Sequence, residues 1–123
     1  VAQLERLDYL INKKKEIYEY YKQKLKSNNS VEIFQFNNEG DIVPHRIVLI
    51  TPNAREYIEY LVSNGIGART LFMPMHQQPV YEEDINFVNS QKLYELGLEL
   101  PSYPSLAKAD IDYIVNIINK KDE

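Results

Sequence analysis

Leu4, Leu7, Ile11, Tyr18, Tyr21 and Leu25 recur at helical spacing, with Lys14 the only polar member of the stripe. Leu10 and Ile17 widen that face, so the pattern predicts an amphipathic helix over residues 2–26. At the helical rise it would be about 37 Å long, more than so small a domain needs. Ser27-Asn28-Asn29-Ser30 ends it. The period then changes. Val31 to Phe36 is rich in β-formers and reads as a strand, Asn37-Asn38-Glu39-Gly40 as a turn, and Arg46 to Ile50 as a central strand, the two runs pairing as a hairpin. Thr51-Pro52 resembles an N-cap followed by proline at the first helical position. Ala54, Tyr57, Ile58, Leu61 and Val62 supply a second helical stripe, closed by Asn64-Gly65.

Ala68 to Met73 reads as a third strand and Pro74 to Tyr81 as a loop, since Pro74 and Pro79 interrupt any ladder. Glu82-Glu83-Asp84 extends that loop as an acidic turn. Phe87, Val88, Leu93 and Tyr94 mark a third helix closed by Gly97, followed by a short strand at Leu98-Glu99-Leu100. Leu106, Ile111, Ile114, Val115 and Ile118 form the stripe of a last helix, and Lys120 to Glu123 a frayed end. The order predicts a single α/β domain over residues 1–123: a small antiparallel or mixed sheet covered by helices, with a long first helix.

Composition narrows the function classes. The chain has 123 residues, 44% of them hydrophobic, and a net charge of −4, which disfavours a general nucleic-acid or anionic-membrane binder. Cysteine is absent and there are two histidines, so neither a disulfide nor a metal site is expected. No apolar run approaches the roughly 18 residues of a membrane span, and no signal peptide opens the chain. The phosphate-loop, dinucleotide, nucleophile-elbow and zincin motifs are all missing.

The chemically useful side chains gather between Gly65 and Tyr81. His76 is either a surface loop histidine or a group that donates to a phosphate or sugar hydroxyl or moves a proton. Arg69 either forms a structural ion pair or clamps a diphosphate. Tyr81 either caps an apolar edge or hydrogen-bonds a ligand. Lys13-Lys14-Lys15 reads as a solvated helix face. The tyrosines of the first helix read as packing rather than as a base-stacking platform.

Several stretches resemble the C-terminal part of the DegT/StrS-type sugar aminotransferases, which depend on pyridoxal phosphate. Ala2-Gln3-Leu4-Glu5-Arg6-Leu7-Asp8 is similar to the start of the family's long helix, and Leu61 to Ile66 to its L-x-x-x-G-I element. Met73-Pro74-Met75-His76 with Gln78-Pro79-Val80-Tyr81 resembles its P-[LM]-H-x-x-P-x-[YF] loop, and Gly97 to Ser102 its G-L-x-L-P-S segment. Order and spacing agree over nearly the whole chain, and the Arg69 to Tyr81 wording is most similar to perosamine-synthetase-like members. The resemblance implies the small domain of a fold-type I aminotransferase, with the large cofactor-binding domain absent. It implies a cytoplasmic, oligomeric enzyme that aminates a keto-deoxy sugar on a nucleoside diphosphate. Substrate contacts would fall on His76, Arg69 and Tyr81. No lysine matches the Schiff-base motif, so the chain alone is expected to lack catalytic residues and cofactor, with pyridoxal phosphate expected only in a full-length relative. Ala107 departs from the Thr or Ser common before the last helix, so an N-cap bond is expected to be missing there. The rival expectation is a non-enzymatic module that associates with itself through the first helix.

Overall fold

The structure, a computed structural model, describes residues 3–37, 40–81 and 87–121. The expected turn residues Asn38 and Glu39, the acidic turn at Glu82 to Asp84, and the chain ends Val1, Ala2, Asp122 and Glu123 lie outside the described residues. A 3-10 turn at Leu4–Arg6 leads into α1 (Leu7–Leu25). Then follow β1 (Glu32–Ile33), β2 (Ile47–Ile50), α2 (Ala54–Ser63), β3 (Arg69–Thr70), α3 (Val88–Leu96), β4 (Gly97–Leu100) and α4 (Lys108–Lys121). The sheet runs β1-β2-β4-β3, every neighbouring pair antiparallel. The α/β fold class and the expected hairpin are therefore present.

Register sorts the side chains. Ile33, Leu49 and Leu98 share one row and Ile47 faces Leu100. All five are buried, as are Ile17, Tyr21 and Leu25 of α1 and Ile111, Ile114 and Ile118 of α4. The core thus lies between one sheet face and the α1–α4 layer. Val48, Glu99 and Arg69 form a second row on the opposite face, because side chains alternate along a strand.

Two strands are shorter than the sequence suggests. Past Ile33, the Phe34 N–H still donates to the Val48 carbonyl at 2.8 Å. The Phe34 carbonyl, however, accepts from the Tyr18 hydroxyl at 3.1 Å, and the Tyr18 and Phe34 rings pack on Phe36. Phe34 to Phe36 are therefore tied to α1 instead of a ladder. β3 stops at Thr70 because its partner runs out. Thr70 faces Leu98, so Phe72 would face Leu96, which is helical.

The start of α2 also differs. Thr51 does not cap it. The helix begins at Ala54 behind Asn53, with no side-chain cap bond, while buried Thr51 accepts the Asn53 N–H at 3.4 Å. The C-terminus follows expectation. Gly65 has φ +76, the Ile66 N–H reaches the Leu61 carbonyl at 2.9 Å, and the Gly65 N–H reaches Val62 at 3.0 Å. This is a Schellman closure, with Ile66 and Leu61 both buried beside it.

At the last helix, Ala107 directly precedes Lys108 and offers no hydroxyl. Asp110 supplies half of a capping box, its Oδ2 accepting the Ala107 N–H at 3.1 Å. Ala107→Ser should complete the box and raise stability by about 0.5–2 kcal/mol. A urea titration reads this as a higher midpoint at constant slope. An unchanged midpoint would show that the first-turn N–H groups are already satisfied.

Candidate functional site

Lys14 explains its own place in an apolar stripe. Its ammonium donates to the Ser102 carbonyl at 2.6 Å, the His45 carbonyl at 3.0 Å and the Ser102 hydroxyl at 3.3 Å. Three protons meet three acceptors, so α1 is riveted to the loops before β2 and after β4. The expectation of a solvated Lys13-Lys14-Lys15 face fails at Lys14. Burial lowers its pKa from the ordinary lysine value, and the nearby Arg46 charge lowers it further. Ser102 is buried and its hydroxyl lies 3.3 Å from the His45 carbonyl, completing the knot.

Arg69 lies across from Glu99 in the β3–β4 register. Its Nε donates to Glu99 Oε2 at 2.8 Å, and the same oxygen lies 3.7 Å from Arg46 Nε. The Glu99 side chain is only 5% exposed, against 53% for Arg69 and 38% for Arg46. One buried carboxylate therefore serves two half-exposed guanidinium groups. Such a carboxylate is stable only because it is paired; alone it would carry a large desolvation cost.

A groove of about 640 Å³ opens beside this triad, lined by Lys14, His45, Arg46, Arg69, Tyr103 and Tyr113 among others. His76 and Tyr81 do not line it. His76 sits in a 3-10 turn at Met75–Gln77 within the expected loop, its ring 5.0 Å from that of Phe87 and tilted by 50°. Tyr81 is half exposed, and its N–H donates to the Gln78 carbonyl at 2.8 Å. Phe72 just before the loop and Val80 within it are 80% and 84% exposed. So Arg69 joins a cationic groove at the start of β3, while His76 and Tyr81 belong to the exposed apolar loop beyond it. Sequence reasoning missed Arg46, Glu99 and the rivet role of Lys14. The available signals were a lone carboxylate in Leu98-Glu99-Leu100 and a lone lysine in the α1 stripe.

Among the described residues no group of three His, Asp or Glu side chains could hold a metal ion, and no helix is long and apolar enough to cross a membrane.

Residues 1–119 match the DegT/DnrJ/EryC1/StrS aminotransferase family. The chain is 32% identical over 127 residues to the GDP-perosamine synthase of Escherichia coli O157:H7, with 98% of this chain and 34% of that protein covered. It is 31% identical over 133 residues to the GDP-perosamine synthase of Vibrio cholerae, covering 96% and 34%. The chain thus spans about a third of the length of these curated relatives. Among solved structures, it superposes on S. venezuelae DesV in complex with a ketimine intermediate, with a TM-score of 0.91 at 19% identity, covering 99% of this chain and 34% of that one. The aminotransferase TlmJ of Streptoalloteichus hindustanus gives 0.87 at 19%, covering 97% and 33%. These likenesses carry the fold, and the family match carries the membership: the chain belongs to the DegT/DnrJ/EryC1/StrS aminotransferase family.

Proposed function

We propose that this chain is the C-terminal small domain of a cytoplasmic nucleotide-sugar aminotransferase, inactive by itself, whose full-length form transfers an amino group to a keto-deoxy sugar for surface-glycan synthesis. The observation that carries the reading is the match to two GDP-perosamine synthases along nearly all of this chain but only a third of theirs. Pyridoxal phosphate would supply the electron sink for amino transfer in such an enzyme. In this reading the chain itself does not hold that cofactor, because none of its lysines stands in the family's Schiff-base motif. The half-buried ammonium of Lys14 is held by three oxygens, and Lys13 and Lys24 lie in surface ion pairs with Glu16 and Asp112. The same reading assigns the cofactor to the other two-thirds of a full-length relative.

In this reading His76, Arg69 and Tyr81 contact the nucleotide-sugar. Phe87 packs against the His76 ring and limits its orientation, so that the imidazole can be aimed at a phosphate or hydroxyl oxygen. A hydrogen bond to a charged group is worth about 1.5–3 kcal/mol, so in a complete enzyme carrying this domain His76→Ala or Arg69→Ala should lower kcat/KM by roughly 10- to 150-fold. His76 is the cleaner probe, and its replacement should change stability by less than about 1 kcal/mol in a denaturant melt. Unchanged kinetics with a lowered midpoint would make these residues structural and remove the substrate role.

A second reading, a module that associates through its first helix, has an observation of its own. The buried part of α1 is Ile17, Tyr18, Tyr21 and Leu25, while Leu4, Leu7 and Tyr9 are 72%, 47% and 47% exposed. The apolar stripe outruns the core that covers it, and uncovered apolar surface favours association. The chain should sediment as a dimer or larger at micromolar concentration, and Leu7→Glu with Ile11→Glu should release the monomer. A parent chain that is already monomeric would end this reading.

A further inference from the structure

The groove between the starts of β2 and β3 and the end of β4 has a charge pattern that the ion pairs do not close. Lys14, Arg46 and Arg69 line it, Asp110 is the one carboxylate among its described lining residues, and the buried Glu99 pairs with Arg69 beside it. Asp110 is occupied by the Ala107 N–H. Glu99 Oε2 holds Arg69 Nε, so Arg46 Nε is left at 3.7 Å, sealed from solvent and without a hydrogen-bond partner. Since Nε is sealed, the 38% exposure of the Arg46 side chain lies elsewhere on it. Three fixed cations thus face two carboxylates in a half-enclosed space, where charges are weakly screened.

We propose that this groove binds a small organic oxyanion, a phosphate or carboxylate attached to an apolar or planar body, with Arg46 and Arg69 receiving the oxyanion and Glu99 positioning both guanidinium groups. The apolar part of the ligand meets Tyr103 and Tyr113, half exposed on the walls, together with Pro104 and Leu106. Guanidinium pairs suit such a head group because their planar fork matches two oxygens at once. The groove's volume of about 640 Å³ lies in the range of a small-molecule site. Lys14 contributes charge alone, because its three protons are already accepted. Burial first and the Arg46 charge second lower the Lys14 pKa, and an anion in the groove would offset the second effect. The inference shares Arg69 with the substrate contacts proposed above but does not rest on them: it concerns a cavity that His76 and Tyr81 do not line, and its test needs neither cofactor nor sugar.

The test uses the 123-residue chain labelled with nitrogen-15, in which arginine Nε–Hε signals are followed by NMR. Inorganic phosphate and phenyl phosphate are titrated at constant ionic strength set with sodium chloride. The Arg46 and Arg69 signals should move on saturable curves with one common Kd, and phenyl phosphate should bind more tightly than phosphate. Arg46→Gln should weaken binding by about tenfold or more. Arg55→Gln, which removes a guanidinium stacked on Tyr94 outside the groove, should change Kd by less than about twofold. Shifts that never saturate, or a Kd unchanged in Arg46→Gln, would leave only adventitious surface binding and overturn the site. Equal affinity for the two probes would overturn the apolar half of the ligand. The parent titration decides the matter even where a variant fails to fold.

Discussion

Gly97→Ala should destabilise the protein by roughly 3 kcal/mol or more, enough to lower its melting temperature by about 10 °C. The glycine is not there for its backbone freedom. With φ −95 and ψ 143 it is extended, a conformation open to any residue. What it provides is space. A Cβ would sit 2.2 Å from Leu71 Cδ1 and 2.4 Å from the Leu93 carbonyl oxygen. Helix α3 ends at Leu96 and strand β4 begins at Gly97, so no linker can absorb a shift. The Gly97 N–H also donates to that Leu93 carbonyl, which ties the two backbones together. Leu71 is a flexible side chain and could turn away; Leu93 is backbone and cannot without unwinding α3. Leu71→Ala added to Gly97→Ala should therefore recover only part of the loss. A thermal melt of Gly97→Ala within about 2 °C of the parent would show that the junction yields.

Why the glycine is needed illustrates how much of the molecule was legible in advance. Helical stripes are local, and the four helices fell near their expected positions, including the closure at Gly65. The sheet is a nonlocal object. Val31 to Phe36 and Ala68 to Met73 have strand composition along their full length, yet only Glu32–Ile33 and Arg69–Thr70 find partners. Phe34 is drawn to Tyr18, and β3 reaches the helical end of α3, neither of which a one-dimensional pattern contains. The candidate site divides the same way. The His76 loop is visible as a motif with two prolines, because its peculiarity is written in adjacent residues. The Arg46–Glu99–Arg69 arrangement joins residues up to 53 positions apart and exists only through strand register. Lys14 was visible as an anomaly, but its partners Ser102 and His45 were not.

Tyr21→Ala should be the most damaging single core substitution, costing about 4–5 kcal/mol. Tyr21 is fully buried, and its hydroxyl donates to the Pro101 carbonyl at 3.1 Å. Burial pushes its phenol well above the ordinary tyrosine range, with smaller contributions from Tyr103 and Asp110, so it is a neutral donor at neutral pH. Two separable losses follow from the alanine change. Truncating a buried aromatic ring leaves a cavity between α1 and the sheet, and the Pro101 carbonyl loses its partner. Tyr21→Phe isolates the second loss, about 1 kcal/mol for one net hydrogen bond. Against a total stability of roughly 5–15 kcal/mol, the alanine variant should be largely unfolded at 37 °C and the phenylalanine variant folded. Urea titrations of both, at unchanged slope, give the two values directly. A phenylalanine variant as damaged as the alanine one would mean that the hydroxyl, not the ring, holds α1 to the Pro101 loop. That outcome would move the stability of this region from packing to a single hydrogen bond beside the Lys14 knot.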